Sequence, residues 1–509
     1  MSVARVASRA QLGLAAPRVD VEVHLGSGLP QFSIVGLPAT AVKESKDRVR
    51  AALANAEFEW PAGRITVNLS PADLPKEGCR YDLPIALGIL RASSQLPCDS
   101  QRFDALEFYG ELGLAGELKP IRGMVLAAAH AVSEGHGIVV PMGNLAEARI
   151  AARAAASGAG SLLEVCALLR AASPAASLGC HEAMPMDQWP RTGMPDLADV
   201  RGQAAAKRAL VVAAAGGHSI LLVGPPGTGK TMLAQRLPGL LPPLTGADAL
   251  DVAAIASVSN RGFDARNYGL RPFRAPHHSA SANAIIGGGP RALPGEVSLS
   301  HRGVLFLDEL PEFDRRVLES LREPLESGVV SIARTALRVE YPARFQLVAA
   351  MNPCPCGYLG ESSGRCRCAP PEIARYRARI SGPLLDRIDL RVEVPAVPQE
   401  ELLGDPPPDS LASARAAERA ATAHRQQLAR AGKLNAELAG QELQKFCRLD
   451  RRGRLLLAQA RTRFELSARA VHRVLRVART IADLDEKAAS DEMVTPAHLA
   501  EALQLRRAL

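Results

Sequence analysis

"SILLVGPPGTGKTMLAQ", residues 219–235, joins a short apolar run to a glycine-rich loop and then to a helical pattern. The apolar run predicts a buried strand, and the loop has the spacing G-x-x-x-x-G-K-T. Backbone N–H groups in such a loop can surround the phosphates of a nucleotide, helped by the positive end of the following helix. The stretch therefore predicts a P-loop in an α/β domain. Its predicted ATP-binding residues are Gly224, Pro225, Pro226, Gly227, Thr228, Gly229, Lys230 and Thr231.

Two further apolar runs end in polar residues that suit such a site. "GVLFLDEL", residues 303–310, places Asp308 and Glu309 directly after a predicted buried strand, and "FQLVAAMN", residues 345–352, ends at Asn352. Ligands of parallel sheets bind at the carboxyl ends of the strands, so these side chains should meet the P-loop there.

Each polar residue has a role that its chemistry suggests. Lys230 should reach the β- and γ-phosphates, and Thr231 with Asp308 should hold Mg²⁺. Glu309 would polarise the attacking water. The amide of Asn352 would bond the γ-phosphate or that water.

Four cysteines follow Asn352 as Cys-x-Cys, nine residues, Cys-x-Cys. Disulfides are reduced in the cytoplasm, where four such thiols can supply the tetrahedral ligands that structural Zn²⁺ prefers. The spacing is tighter than the usual zinc pattern, so free thiols in a glycine-rich surface loop stay open as the alternative. The candidate zinc ligands are Cys354, Cys356, Cys366 and Cys368.

The composition is that of an ordinary soluble globular protein, with 47% hydrophobic and 22% charged residues. The net charge of +8 permits an anionic partner without requiring one. No apolar run reaches the roughly 20 residues that span a bilayer, and the amino terminus lacks the apolar core of a signal peptide. We therefore expect a cytoplasmic location and no membrane partner.

The chain of 509 residues changes character along its length. Strand and helix signals alternate first, including the period-two runs "VDVEVHL" and "RITVNLS". A stretch with several prolines and no periodicity then indicates a linker. The predicted segments are 1–170, the linker 171–195, the nucleotide-binding domain 196–395 and a helical domain 396–509.

Two basic features suit a polyanion. Residues 327–345 predict a β-hairpin with Arg334 and Arg338 near its tip, which could contact phosphates or be a solvated turn. Residues 451–480 carry nine arginines against one acid. That segment is either a solvated helix face or a polyanion-binding surface.

Four stretches together resemble the magnesium-chelatase-like AAA+ ATPases, and within them the ComM/YifB family: "GPPGTGKT", "GVLFLDE", "AAMNPCPCG" and "SGPLLDRIDL". "RPFRAPHHSAS", residues 271–281, and "CPCGYLG" are also typical of that family. The resemblance covers nearly the whole chain and implies an α/β fold, an AAA+ P-loop NTPase core with a helical lid. His277 and His278 would lie in a loop near the pore of a ring, or be an ordinary exposed pair.

AAA+ proteins form rings, usually hexamers, with ATP between neighbouring subunits. The resemblance implies that Arg387, in "LLDRID", is an arginine finger that stabilises charge in the neighbour's site. An ion pair with Asp386 or Asp389 is the alternative. Arg469, in "LSARAVHRVLRVART", matches the second sensor arginine of the lid. The segment 327–345 matches the hairpin that AAA+ helicases project into their pore.

The amino-terminal segment resembles the Lon-protease carboxyl-terminal domain, an α+β domain of the S5 domain 2-like type that also ends the RadA recombination protein. Lon-type proteolysis needs a nucleophilic serine and a lysine. Arg80, in "PKEGCRYDLPIA", stands where the serine would fall, and "GELKPIRGMVLAA" lacks the expected lysine. Because arginine cannot replace the nucleophile, we expect a structural or DNA-contacting collar without peptidase activity.

The resemblance implies an ATP- and Mg²⁺-dependent hexameric helicase. Such a motor would promote branch migration when single-stranded DNA is integrated during natural transformation, acting with recombination proteins. The alternative is the ATPase subunit of a metal-insertion complex that acts on a tetrapyrrole. The amino-terminal domain and the cysteine loop favour the DNA motor, because chelatase motor subunits are shorter and typically lack that domain. A protease or unfoldase is disfavoured by the missing Ser–Lys pair.

Overall fold

The computed structural model describes residues 2–171, 194–334, 337–360, 364–398, 400–401, 412–485 and 493–506. These residues form two compact units. The first takes its described residues from Met1–Gln188, Thr245–Gly269 and Ser331–Tyr341; the second takes them from Trp189–Leu244, Leu270–Val330 and Pro342–Leu509. Two stretches of the predicted 196–395 segment thus belong to the first unit. Most of the predicted linker lies outside the described residues.

The first unit is built on a seven-stranded mixed sheet. Its strands run, in spatial order, Gln31–Val35, Arg64–Ser70, Arg18–Gly26, Ser2–Arg9, Leu106–Phe108, Gly137–Pro141 and Ala156–Ala159. Arg18–Gly26 pairs antiparallel with both neighbours, and the other pairings are parallel. The two period-two runs are confirmed as strands, and their alternating apolar residues are buried, except that Leu25 at the end of the first run is half-buried. The helices of this unit are Thr40–Lys43, Ser45–Asn55, Asp82–Ala92, Ser100–Asp104, Met124–Ser133, Leu145–Ala152, Leu162–Arg170 and Gly246–Val258.

The helix Gly246–Val258 is joined to the rest of the first unit by buried polar contacts. The backbone N–H of Gly123 donates to Ser257 O at 3.1 Å. The hydroxyl of Ser257 donates to the buried carboxylate of Glu147. Burial raises the pKa of Glu147, although the hydrogen bonds from Ser257 and Asn144 oppose that rise. This carboxylate therefore depends on a partner that lies 110 residues away in sequence.

The second unit contains a five-stranded parallel sheet. Its order is Phe273–Arg274, Val304–Leu307, Gln346–Met351, Ile220–Val223 and Leu390–Glu393. We call Ile220–Val223 the P-loop strand and Val304–Leu307 the carboxylate strand. All residues of both are buried, as four-residue apolar runs predict for the interior of a parallel sheet. The α/β fold class with a parallel sheet is confirmed.

The carboxyl-terminal helices complete the core of the second unit. Ala416, Ala420 and Ala423, on the helix Ser413–Ala431, join the same buried cluster as Leu233 and Leu237, on the helix that follows the P-loop. Their small side chains let helices approach closely, which is why an alanine-rich segment packs here. The helices of this unit are Ala204–Gly216, Lys230–Leu240, Ala282–Ile286, Glu296–Leu299, Arg315–Ser320, Pro324–Ser327, Pro370–Arg377, Gly382–Leu385, Ser413–Ala431, Gln441–Phe446, Arg451–Arg463, Ala468–Asp483 and Pro496–Gln504.

Short strand pairs complete the described structure. Arg448–Leu449 pairs with Met493–Val494 inside the segment that we predicted to be helical. The predicted hairpin is observed as Val329–Arg334 and Leu337–Pro342. The remaining pairs are Glu111–Leu112 with Leu118–Lys119 and Gly287–Gly288 with Leu293–Pro294. Within the described ranges, no helix has the length and apolar character that a membrane span requires.

Candidate nucleotide-binding and catalytic site

The P-loop leaves its strand at a position that only glycine can occupy. A Cβ atom on Gly224 would lie 2.1 Å from the carbonyl oxygen of Val394, on the neighbouring chain segment. Gly227 and Gly229 have φ values of +77° and +86°, in the left-handed region that glycine adopts without strain. The loop then turns directly into the helix Lys230–Leu240, so its N–H groups and the positive helix end share one concave surface.

Lys230 is held at this loop by three oxygen atoms. Its Nζ donates to Gly224 O at 2.8 Å, to Pro225 O at 2.7 Å and to Asn352 Oδ1 at 3.1 Å. Burial lowers the pKa of Lys230, and the charges of Asp308 and Glu309 oppose that shift. The structure thus brings the predicted lysine and asparagine together at one edge of the sheet.

Thr231 and Asp308 form the second predicted pair. The hydroxyl of Thr231 donates to Asp308 Oδ2 at 2.7 Å. The other carboxylate oxygen accepts the backbone N–H of Glu309 at 2.9 Å. Hydroxyl and carboxylate oxygens are the hard donors that Mg²⁺ prefers. This donor set, beside the glycine-rich loop and Lys230, fits a magnesium–nucleotide complex.

Glu309 adopts a strained backbone conformation and contacts a histidine. Its φ of +50° lies in the left-handed region, which costs a non-glycine residue about 1–2 kcal/mol. Its Oε2 lies 3.3 Å from Nδ1 of His278. The ring of His278 in turn packs against His277, with 4.0 Å between centroids, and edge-on against Phe313.

The contact between His278 and Glu309 was missed by the sequence analysis. The histidine pair was expected in a loop near the pore of a ring or as an ordinary exposed pair, without a contact to Glu309. The missing information is the sheet order, because Phe273–Arg274 lies beside the carboxylate strand. The residues that follow these two neighbouring parallel strands therefore meet at one edge of the sheet.

The four cysteines lie immediately beyond Asn352. All four sulfur atoms are within 4.8 Å of one another, and none forms a disulfide. The structure therefore brings together the whole predicted ligand set.

Arg387 and Arg469 lie elsewhere, around a cavity of about 710 Å³. The cavity is bounded by Ser219, Gly303 and Gln346, which begin or precede strands of the sheet, so it lies at the amino edge. Among the described lining residues, the arginines, lysine and acids are Arg271, Arg302, Arg344, Arg387, Arg469, Arg473, Arg476 and Lys433 against Glu326, Asp389 and Glu437, and two histidines, His424 and His472, also line it.

Arg387 is nearly buried at this edge. Its Nη1 donates to Pro383 O at 2.6 Å, and its Nη2 lies 2.5 Å from Glu326 Oε1. The ion pair that forms is therefore with Glu326, and the structure pairs Asp389 instead with Arg473. A four-residue strand spans about 13 Å. Arg387 precedes one strand and Lys230 follows the end of its neighbour, so within one chain they stand on opposite edges.

The DNA-contact candidates lie on the hairpin. Arg338 is exposed and pairs with Glu340 at 3.2 Å. The side chain of Arg334 lies outside the described part of the chain. Val339 is buried, and its Cγ1 occupies the place that a Cβ on Gly13 would take. One face of the hairpin is therefore packed, while Arg338 faces solvent.

Three family models match the chain in order. The model described as "Subunit ChlI of Mg-chelatase" matches residues 21–144, "Magnesium chelatase, subunit ChlI" matches 196–402, and "Magnesium chelatase, subunit ChlI C-terminal" matches 410–506. Competence protein ComM of Haemophilus influenzae is 47% identical over 99% of this chain and 98% of its own length. YifB of Salmonella typhimurium is 46% identical over 99% and 97%.

The chain belongs to the ComM/YifB family of magnesium-chelatase-like proteins. A more distant relative, the magnesium-chelatase 38 kDa subunit of Cereibacter sphaeroides, is 28% identical over 30% of this chain and 51% of its own length. ComM/YifB relatives thus align along almost the entire chain, whereas the chelatase subunit aligns with a part of it.

Proposed function

We propose that this protein is a ring-forming, ATP-hydrolysing motor that moves on DNA, of the helicase and branch-migration type. The observation that carries the proposal is the division of charged groups between the two edges of one sheet. Lys230, Asp308 and Glu309 stand at the carboxyl edge, and Arg387 stands at the amino edge. An arginine placed there stands far from the nucleotide of its own P-loop, so we assign it to the nucleotide of a neighbouring subunit in a ring.

The residues of the carboxyl edge would have separate roles in binding the phosphates, holding Mg²⁺ and activating water. Lys230 would exchange its carbonyl partners for phosphate oxygens, while Thr231 and Asp308 would hold Mg²⁺, which neutralises phosphate charge when bound. Glu309, oriented by His278, would accept a proton from the attacking water. Asn352, already bonded to Lys230, would position the terminal phosphate.

The amino edge would supply positive charge to the neighbour. Arg387 and Arg469 line the same basic cavity, so we assign both to the same seam between subunits. Arg387 would leave Glu326 for the phosphoryl oxygens. Its Nε has no hydrogen-bond partner among the described residues, so the guanidinium has a further N–H to give.

Two observations support DNA as the polymer along which the motor moves: an exposed basic helix and the similarity to the relative ComM. Arg451, Arg452, Arg454, Arg461 and Arg463 are all exposed on the helix Arg451–Arg463, which carries no acid. Such a face can bind a phosphate backbone without sequence preference. The relative named competence protein ComM, similar over nearly its whole length, supports a competence-related role. The chelatase alternative is less favoured, because that subunit aligns with only 30% of the chain.

Strand displacement on a forked or three-stranded DNA tests the proposal. Wild-type protein should displace a strand with ATP, and DNA should accelerate its release of phosphate. Lys230→Ala should abolish both, and Asp47→Ala, at an exposed acid on a helix of the first unit, should change neither. Protein that neither binds DNA at low salt nor hydrolyses ATP faster in its presence would contradict the DNA proposal.

A further inference from the structure

The cysteine loop, residues 354–368, has sulfur positions that suit one metal ion. Sγ of Cys354 lies 3.4 Å from Sγ of Cys356 and 3.8 Å from Sγ of Cys366, and the latter two lie 3.7 Å apart. A tetrahedral Zn²⁺ with bonds of about 2.3 Å places its sulfur ligands about 3.8 Å apart. The observed separations agree with that tetrahedron.

The same separations exclude two other arrangements. A disulfide brings sulfur atoms to about 2.05 Å, and all four cysteines are free. In a four-iron cluster each thiolate binds a different iron, so the sulfur atoms stand farther apart than they do here, where all four lie within 4.8 Å of one another. Among metal-bound arrangements a single tetrahedral ion fits these positions, and free thiols in contact with one another are the alternative that metal analysis distinguishes.

A second cluster of potential ligands provides a contrast. Glu107, Glu134 and His136 also have ligand atoms within 4.8 Å of one another. The guanidinium of Arg9 already lies 2.7 Å from Glu107 and 2.6 Å from Glu134, so an internal cation balances their charge. In the cysteine loop the ligand atoms instead lie against one another.

The cysteine loop contacts the nucleotide site at two points. Cys354 is fully buried, two residues after Asn352, whose amide oxygen accepts from Lys230. Gly357 has φ +89°, and a Cβ there would lie 2.7 Å from Cδ of Pro226, in the P-loop. A rigid loop would therefore fix both the amide that holds Lys230 and one wall of the phosphate cradle.

We propose that the four cysteines bind one structural Zn²⁺, and that the bound ion holds Asn352 and the P-loop in the geometry that receives nucleotide. The proposal that zinc binds is argued from the sulfur positions alone. The proposal that zinc affects nucleotide binding also rests on the proposed ATPase function. Binding replaces thiol protons by metal–sulfur bonds, with no change of oxidation state. The site is closed, because four protein ligands fill the tetrahedron.

Metal analysis of the full-length protein, purified without added zinc, tests the first half. Wild type should contain close to one zinc per chain. Cys356→Ser with Cys368→Ser should reduce this at least tenfold, and Cys98→Ser, outside the loop, should leave it unchanged. Near-zero zinc in folded wild type, or iron in its place, would overturn the zinc site. Cys356→Ser alone, at an exposed ligand, provides a second variant if the double variant does not fold.

Binding of a fluorescent ATP analogue tests the second half. Loss of zinc in the double variant should weaken binding of the analogue about tenfold. Cys368→His, which keeps a metal ligand at this position, should retain both the zinc and the affinity. Unchanged affinity in a zinc-free, folded variant would overturn the coupling. Zinc-loaded wild type that binds no ATP would refute the proposed ATPase and the coupling, but would support the metal site.

Discussion

The two edges of the parallel sheet in the second unit carry opposite kinds of surface. At the carboxyl edge, Lys230, Asp308 and Glu309 each have a partner in the same chain. At the amino edge, eight cationic side chains face three carboxylates, and Nε of Arg387 and of Arg476 has no hydrogen-bond partner among the described residues. The first edge carries one lysine against two carboxylates, whereas the second has more cations than carboxylates and therefore net positive charge toward an external anion.

Of the substitutions at the two edges, replacing Arg387 should have the largest effect on ATP hydrolysis. Arg387→Ala should lower kcat for ATP hydrolysis about 10³-fold, the scale of arginine fingers. Affinity for ATP should change little, because the P-loop stands at the other edge. Phosphate release and binding of a fluorescent nucleotide measure the two effects, with Arg64→Ala, exposed on the first unit, as the control.

Mixing variants identifies the chain on which Arg387 acts. Arg387→Ala subunits mixed with Lys230→Ala subunits should regain part of the activity, because some seams then join an intact P-loop to an intact arginine. Absence of recovery at every ratio would show that Arg387 acts within its own subunit, or not at all.

Substitution of His278 tests whether a residue of the same chain orients Glu309 at the carboxyl edge. His278→Ala should lower kcat about tenfold with KM nearly unchanged, since tenfold corresponds to about 1.4 kcal/mol, the scale of one orienting polar contact. His278→Gln, which keeps a hydrogen-bonding group, should retain more activity. His277→Ala should have a smaller effect, because its Nδ1 contacts Ser279 and not Glu309. A kcat for His278→Ala at or above that of wild type would contradict an orienting role.

Low pH should destabilise the fold through His424, which lines the cavity at the amino edge. Nε2 of His424 lies 2.8 Å from the carbonyl oxygen of Ala214, within hydrogen-bond distance. Burial, with a smaller contribution from Arg271, lowers its pKa to about 4 against the hydrogen bond. The unfolded chain, with a histidine pKa near 6.5, takes up the proton first. Stability should therefore fall as the pH drops from about 6.5 towards 4.

The expected loss from His424 is about 2 kcal/mol between pH 7 and pH 5. Urea unfolding at the two pH values measures it in wild type and in His424→Gln. The variant should lose less stability on acidification, whereas His472→Gln, an exposed histidine of the same cavity, should behave as wild type. An identical loss in all three proteins would exclude His424 as the source.

The elements that were predicted best are those whose bounds can be read from adjacent residues in the sequence. The P-loop strand and the carboxylate strand match their apolar runs residue for residue, since each run is bounded by glycine or by acids. The pairing of His278 with Glu309 could not be predicted, because it follows from the order of strands and not from spacing. The partner of Arg387 was also missed: the neighbours in sequence are acids, yet the observed partner is Glu326, 61 residues earlier.

The helical segment shows a similar limit. Its alanine and leucine pattern predicted helices, and they are present, but Arg448–Leu449 finds its strand partner 45 residues away at Met493–Val494. A two-residue pairing leaves no periodic signal. The roles of the predicted site residues, and the Lon-type ancestry of the first unit, stay predictions.

The first unit draws on three separated stretches of the chain, and this has a consequence for its synthesis. When residue 170 leaves the ribosome, the helix Gly246–Val258 has not been made, and Glu147 still lacks the hydroxyl of Ser257. Vectorial folding one domain at a time is the usual course for long chains. Here the amino-terminal unit must wait for residues 245–269 and 331–341, so excising it at the linker would yield an incomplete body.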